Sequence, residues 1–100
     1  MAVILWLDWQ VRHIEQRHGV SAQEFEEAWD DPAREDLAEE EHPEWGPCFL
    51  SLGSTSGGRL IAMLWRWQHH DGGAAVWPIT AYFKDIRPAA RRQRRPRRRR

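Results

Sequence analysis

Cysteine occurs once in the 100 residues, at Cys48, so no disulfide can close within the chain. A lone thiol points to a reducing, cytoplasmic setting. Cys48 precedes an apolar run and reads as a small core residue rather than a nucleophile. No apolar stretch approaches the roughly 18 residues of a membrane-spanning helix. The apolar opening, residues 1–7, has no basic flank and runs into Asp8, a pattern that fits neither a signal peptide nor a span. Zinc-type cysteine pairs, HExxH, a P-loop and GxGxxG are all missing, so neither a metal nor a nucleotide cofactor is expected. His69, His70 and Asp71 have ligand chemistry, but neighbours on a tight turn point apart. There are no internal repeats.

What is present is charge, unevenly placed. Residues 1–86 hold six basic residues (Arg12, Arg17, Arg34, Arg59, Arg66, Lys84) against all fifteen acids, a formal charge of −9. Residues 87–100 hold nine arginines and no acid, a charge of +9 that brings the whole chain to zero. The chain therefore divides into one α+β domain, 1–86, and an arginine-rich tail, 87–100, disordered or partly helical over residues 86–93. Such a tail repels itself and buries nothing apolar. Three readings are open for it: phosphate binding without sequence preference through Arg87, Arg91, Arg92, Arg94 and Arg95; a clamp on the acidic segment 35–44 of the same chain; or a dispensable solvated end. Seven tryptophans enlarge the core available to so small a domain. Any ring that proves exposed is a candidate for stacking on nucleobases.

Residues 3–6 read as a short buried strand. Asp8 caps a first helix running to Arg17, with Val11, Ile14 and His18 at helical spacing and Gly19 as its left-handed stop. Ser21 and Glu24 form a capping box for a second helix bearing Phe25, Ala28 and Trp29, ended by Asp30-Asp31-Pro32. Residues 33–47, with six acids, two prolines and no apolar period, read as a surface loop. Strands follow over residues 48–52, 60–68 and 75–83, joined by glycine-rich hairpin turns. Ile61, Met63, Trp65 and Trp67 share one face of the middle one. Pro78 places the last strand at an edge or at a bulge. The expected order is β-α-α-β-β-β(-α), two short helices packed on a small antiparallel sheet.

The words Trp9…Arg17-His18-Gly19-Val20-Ser21…Glu24…Glu27…Trp29…Asp31-Pro32, then Leu52-Gly53-Ser54-Thr55…Gly58-Arg59-Leu60, then Ile79-Thr80-Ala81 resemble the BrnT toxins of bacterial type II toxin–antitoxin systems. The resemblance runs over about residues 6–95, and order and spacing carry it more than any single word. It implies a RelE-like fold and a metal-independent endoribonuclease that inhibits translation by cutting RNA. It also implies a ribbon-helix-helix antitoxin partner, BrnA-like, with no membrane and no small-molecule cofactor. The chain departs from the family pattern at Pro47-Cys48, where a basic residue is usual, at Tyr82, where arginine is usual, and at Pro78.

Cutting RNA through its 2′-hydroxyl needs a base, an acid and a cation for the phosphoryl charge. His18 is the candidate acid or base, imidazole being the side chain that ordinarily titrates near neutrality. Arg59, after the Gly57-Gly58 turn, is the candidate phosphate clamp. Lys84 and Tyr82 stand where the missing arginine would, and Arg17 joins the tail as a nucleic-acid contact. Each has a structural alternative: His18 capping its helix, Arg59 opening a strand, Lys84 solvated, Tyr82 packing on the sheet. The nuclease reading requires His18 and Arg59 to meet in one groove. Two alternatives remain: a catalytically degenerate module that docks an antitoxin or nucleic acid through its basic tail, and an adaptor domain without an RNA role.

Overall fold

A computed structural model of the chain describes residues 3–84. Two helices, α1 (Asp8–His18) and α2 (Ala22–Trp29), precede four strands: β1 (Glu35–His42), β2 (Gly46–Ser54), β3 (Leu60–His70) and β4 (Gly73–Phe83). The strands form one antiparallel sheet in the order β1-β2-β3-β4. This is a small α+β fold. The arginine-rich tail, with the short helix expected at its start, lies outside the described residues.

The helices follow local chemistry closely. Gly19 ends α1 at φ 74°, and its N–H donates to the Glu15 carbonyl. At the head of α2 the Glu24 N–H donates to Ser21 Oγ at 3.1 Å, and the Ser21 N–H donates to Glu24 Oε1 at 3.0 Å. The cap of α1 differs from expectation. Asp8 is already the first helical residue, and Leu7 precedes it as N-cap. Gln10 does what a capping side chain would: its Oε1 accepts from the Leu7 N–H at 2.7 Å. Its Nε2 donates to the Pro78 carbonyl at 2.8 Å, so one buried amide both caps the helix and ties it to β4.

Two sequence expectations are corrected. Residues 3–6 make a single parallel bridge, Ile4 to Val76, instead of a strand. Leu7 already serves as the N-cap of α1, which ends the extended run. The acidic segment read as a loop is instead β1, paired with β2 from Glu35 to His42. Its apolar pattern is absent because seven of its eight residues are exposed. Backbone pairing holds it, together with one carboxylate bonded to β2. Asp36 Oδ1 accepts from Ser51 Oγ at 2.6 Å, and Ser51 Oγ accepts from the Trp65 indole N–H at 2.9 Å. Arg34 closes this network: its Nε lies 3.3 Å from Asp36, and its guanidinium lies 3.9 Å over the Trp29 ring.

The core lies between the helices and one face of the sheet. Ile61, Met63 and Trp65 of β3, with Val76 and Ala81 of β4, pack against Ile14, Val20, Phe25, Ala28 and Trp29. Trp67, expected on the same stripe, is exposed, touching Trp65 edge to face. Cys48 is buried, and burial pushes its thiol pKa up, in keeping with a packing role. Gly53 lets β2 approach α2 without a side chain between them: a Cβ there would stand 2.0 Å from the Ala28 carbonyl oxygen.

Two carboxylates lace the end of α2 to the β2–β3 hairpin. Glu27 accepts from the Ser56 N–H at 3.1 Å, and Asp31 accepts from the Ser54 N–H at 2.8 Å and the Ala33 N–H at 2.9 Å. The Ser56 N–H, then Gln23, hold Glu27 below its ordinary 4.5; the Ala33 and Ser54 N–H groups hold Asp31 below its ordinary 3.8. Groups with depressed folded-state pKa values contribute stability above their unfolded values and lose it as pH falls through the folded ones. Thermal stability should therefore drop on acidification below about pH 4.5. Combining Glu27→Gln with Asp31→Asn should flatten that drop, as followed by thermal melts across the acid range.

Candidate nucleic-acid interface

The register of β3 and β4 builds the site. Leu64 pairs with Thr80 and Trp65 with Pro78, so Ile79 is an extra residue, a bulge in β4. The expectation for Pro78 is met on both counts, since β4 is the last strand of the sheet and is bulged beside Pro78. Strict alternation would put Thr80 on the core face with Pro78 and Val76. The bulge turns it over, so Thr80 joins Leu64, Arg66 and Trp77 on the face away from the core.

That face forms one wall of a groove of about 570 Å³, and α1 forms another. Trp9, His13 and Arg17 recur every four residues along α1 and all line it, with His18 beyond them. The neighbouring stripe, Gln10 and Ile14, is the buried one, so a single helix seats itself with one stripe and presents chemistry with the next. Trp45 closes the groove from the β1–β2 turn. Its ring stacks on His42 at 4.2 Å, and His42 Nδ1 accepts from the Glu44 N–H at 3.0 Å, which fixes the turn. Leu64 and Thr80 also line an adjoining recess of about 200 Å³ that contains Glu40, Cys48 and Tyr82.

The groove has two ends. At one, the His13 and His18 rings lie 6.1 Å apart beside Arg17, with Tyr82 6.0 Å from His18. At the other, Trp9 faces Trp77 at 6.4 Å, and the Arg66 guanidinium lies 4.8 Å over Trp77. Trp9 and Trp45 are 52% and 41% exposed, so their rings are open to a stacking partner. Arg66 Nε and Thr80 Oγ1 are buried with no hydrogen-bond partner. A domain whose formal charge is −9 thus presents a groove lined by two arginines and two histidines and by no carboxylate.

His18 and Arg17 line the groove, and the Tyr82 ring lies beside His18, whereas the expected convergence was of His18 with Arg59. Arg59 does not join them. Its guanidinium lies 3.6 Å over the Phe83 ring, and it is not among the groove-lining residues. Phe83 pairs with Ile61 on the core face, whereas its neighbour Tyr82 pairs with Ala62 on the other, so alternation along β4 keeps Arg59 from the groove. Lys84 is exposed and extends the ladder through its N–H to the Leu60 carbonyl at 2.8 Å. Arg87, Arg91, Arg92, Arg94 and Arg95 lie outside the described residues. Among the described residues no cluster of His, Cys, Asp or Glu is arranged to hold a metal ion, and no helix is long and apolar enough to cross a membrane.

Sequence reasoning missed His13 and Arg66. The four-residue recurrence Trp9-His13-Arg17 was the available signal for the first. The second is one polar residue in an apolar strand, and its place beside Trp77 depends on a bulge two residues further along β4. No protein-family model matches the chain, and no curated protein matches it.

Proposed function

We propose that this chain acts on RNA, as a BrnT-like, RelE-fold, metal-independent endoribonuclease that inhibits translation in the cytoplasm and is held by a ribbon-helix-helix antitoxin. The groove carries the reading: it collects cations and imidazoles without a carboxylate in an otherwise acidic body and flanks them with open indoles. Phosphate favours the first set and unpaired bases the second. The family resemblance in residue words supports the same class.

In this reading His13, Arg17 and His18 supply a complete acid–base cycle. One imidazole removes the proton of a ribose 2′-hydroxyl, whose oxygen attacks the adjacent phosphorus. The bond to the 5′-oxygen breaks, and the other imidazole, protonated, gives that oxygen its proton. The meeting of His18 with Arg59 that the nuclease reading requires does not occur; in this reading Arg17, beside both imidazoles, takes the clamp's place and pairs with the non-bridging oxygens as charge builds on them. The products are a 2′,3′-cyclic phosphate and a 5′-hydroxyl. Incubating the full chain with single-stranded RNA in excess chelator should release those two ends. RNA left intact and unbound overturns the proposal.

One observation favours the docking alternative. Arg59, the cation the family words would supply, is engaged on Phe83. In that reading RNA binds in the groove and stays whole, and the same incubation read by mobility shift separates the two. The tail is tested independently. Deleting residues 91–100 should lower RNA affinity and flatten its fall between about 50 and 200 mM salt, since each lost phosphate contact removes counterion release. Unchanged affinity and slope would exclude the phosphate-binding role for the tail.

A further inference from the structure

We infer that Trp45, in the β1–β2 turn, is the platform on which the groove holds an unpaired base, while the phosphates of the same strand lie along α1. The site therefore takes single-stranded RNA with little regard to sequence and refuses a duplex. This deepens the RNA reading and rests on it.

Two walls of the groove come from opposite edges of the sheet. α1 is tied to β4, the last strand, through Gln10 and the Pro78 carbonyl, whereas Trp45 stands in the turn that joins β1, the other edge, to β2. The α1 wall offers Arg17 with His13 and His18. The strand behind Trp45 is acidic: Glu39, Glu40 and Glu41 of β1 are exposed, and Glu44 precedes Trp45 in the turn. A phosphate is drawn to the first wall and repelled from the second. A bound nucleotide is thereby turned with its backbone to α1 and its base to the turn.

Trp45 is held ready for that base. His42 pairs with Gly46 and closes the loop Pro43-Glu44-Trp45. The His42 ring stacks on Trp45 at 4.2 Å and 22°, which supports one face of the indole and fixes its orientation. The same indole lines the groove and is 41% exposed, which leaves its other face to a ligand. A base laid there adds a third ring to the stack. The other two indoles serve less well. Trp77 is half-buried beneath Arg66, and Trp9, though exposed, meets Trp77 at a 55° tilt and shares its wall with Arg17. Stacking uses the π-face that every base has, so it tolerates any sequence. A base inside a duplex is already stacked between its neighbours and is not free to turn onto an indole.

The test follows, by fluorescence anisotropy, binding of the full chain to a 2′-O-methyl adenine hexamer, which cannot be cut, and to an abasic hexamer with the same phosphates. Wild type should hold the base-bearing strand about tenfold more tightly, the worth of one stacked base. Contacts of the arginine tail to phosphate are common to both and cancel in the ratio. Trp45→Ala should bring the ratio close to one while leaving affinity for the abasic strand unchanged. Trp45→Leu, which keeps apolar bulk without an aromatic face, should do the same and decides the matter if Trp45→Ala does not melt as a folded chain. Trp67→Ala removes an exposed indole outside the groove and should keep the wild-type ratio. Annealing the adenine strand to its complement should abolish the effect of Trp45→Ala. Equal wild-type affinity for the two hexamers, or a ratio that the folded Trp45 variants leave intact, overturns the Trp45 platform and leaves the RNA reading standing. Failure of wild type to bind either hexamer overturns both.

Discussion

His13→Ala and His18→Ala are each expected to slow RNA cleavage by about 10²–10⁴-fold, the usual worth of a positioned acid or base. The double replacement should add little, because the two groups serve one proton-in, proton-out cycle, and effects within such a unit are not additive. The measurement is the rate of 2′,3′-cyclic phosphate formation in chelator, for the full chain and each variant at equal concentration. Folding should not confuse it. His18 is exposed and His13 half-buried on α1, and alanine is the better helix former at both positions. Arg59→Ala is the contrasting variant, since its side chain lies on Phe83 rather than in the groove. It should leave the cleavage chemistry near wild type. Wild-type cleavage by His13→Ala, or loss of cleavage by folded Arg59→Ala, would move the site away from α1.

Gly53→Ala is expected to be the most damaging single replacement for the fold. The added Cβ would meet the Ala28 carbonyl oxygen at 2.0 Å and its carbon at 2.8 Å, both backbone atoms that cannot swing aside. Relief requires lifting α2 from β2, which opens the packing of Phe25 and Trp29 and strains the contacts of Glu27 and Asp31 with the hairpin. Overpacking against side chains costs about 1–3 kcal/mol; against fixed backbone we expect more than about 3 kcal/mol. Chemical denaturation of the variant measures this directly. Gly57→Ala is the control, because the nearest atom to its Cβ is Thr55 Oγ1 at 3.7 Å, an ordinary contact, and its change should stay within about 1 kcal/mol. If Gly53→Ala were equally mild, α2 would not be seated on β2 as described.

The residues that carry the family resemblance are mostly structural. Gly19 stops α1, Ser21 and Glu24 cap α2, and Glu27, Asp31 and Ser54 bind α2 to the hairpin. Thr55 closes the turn, its Oγ1 accepting from the Arg59 N–H at 3.1 Å. These words specify how two helices and a hairpin dock, which is why they are legible as a pattern without locating the chemistry. Arg17 and His18 are the exceptions, placed in the groove because the end of α1 reaches the sheet beside Tyr82. The groove otherwise draws on residues outside those words, among them His13, Trp45, Arg66 and Trp77.

Local interactions made both helices, the cap of α2 and the glycine-rich turns readable from the chain itself, because each rests on contacts within about five residues. Side-chain alternation marked the three apolar strands. The edge strand β1 was not readable. Its stability comes from backbone pairing with β2 and from Asp36 meeting Ser51, a partner fifteen positions away that leaves no period in the sequence. The separation of Arg59 from His18 and the arrival of Arg66 and Trp77 beside His13 were likewise decided only by folding. Each depends on which way a strand residue faces, and a single inserted residue at Ile79 reverses that for half of β4.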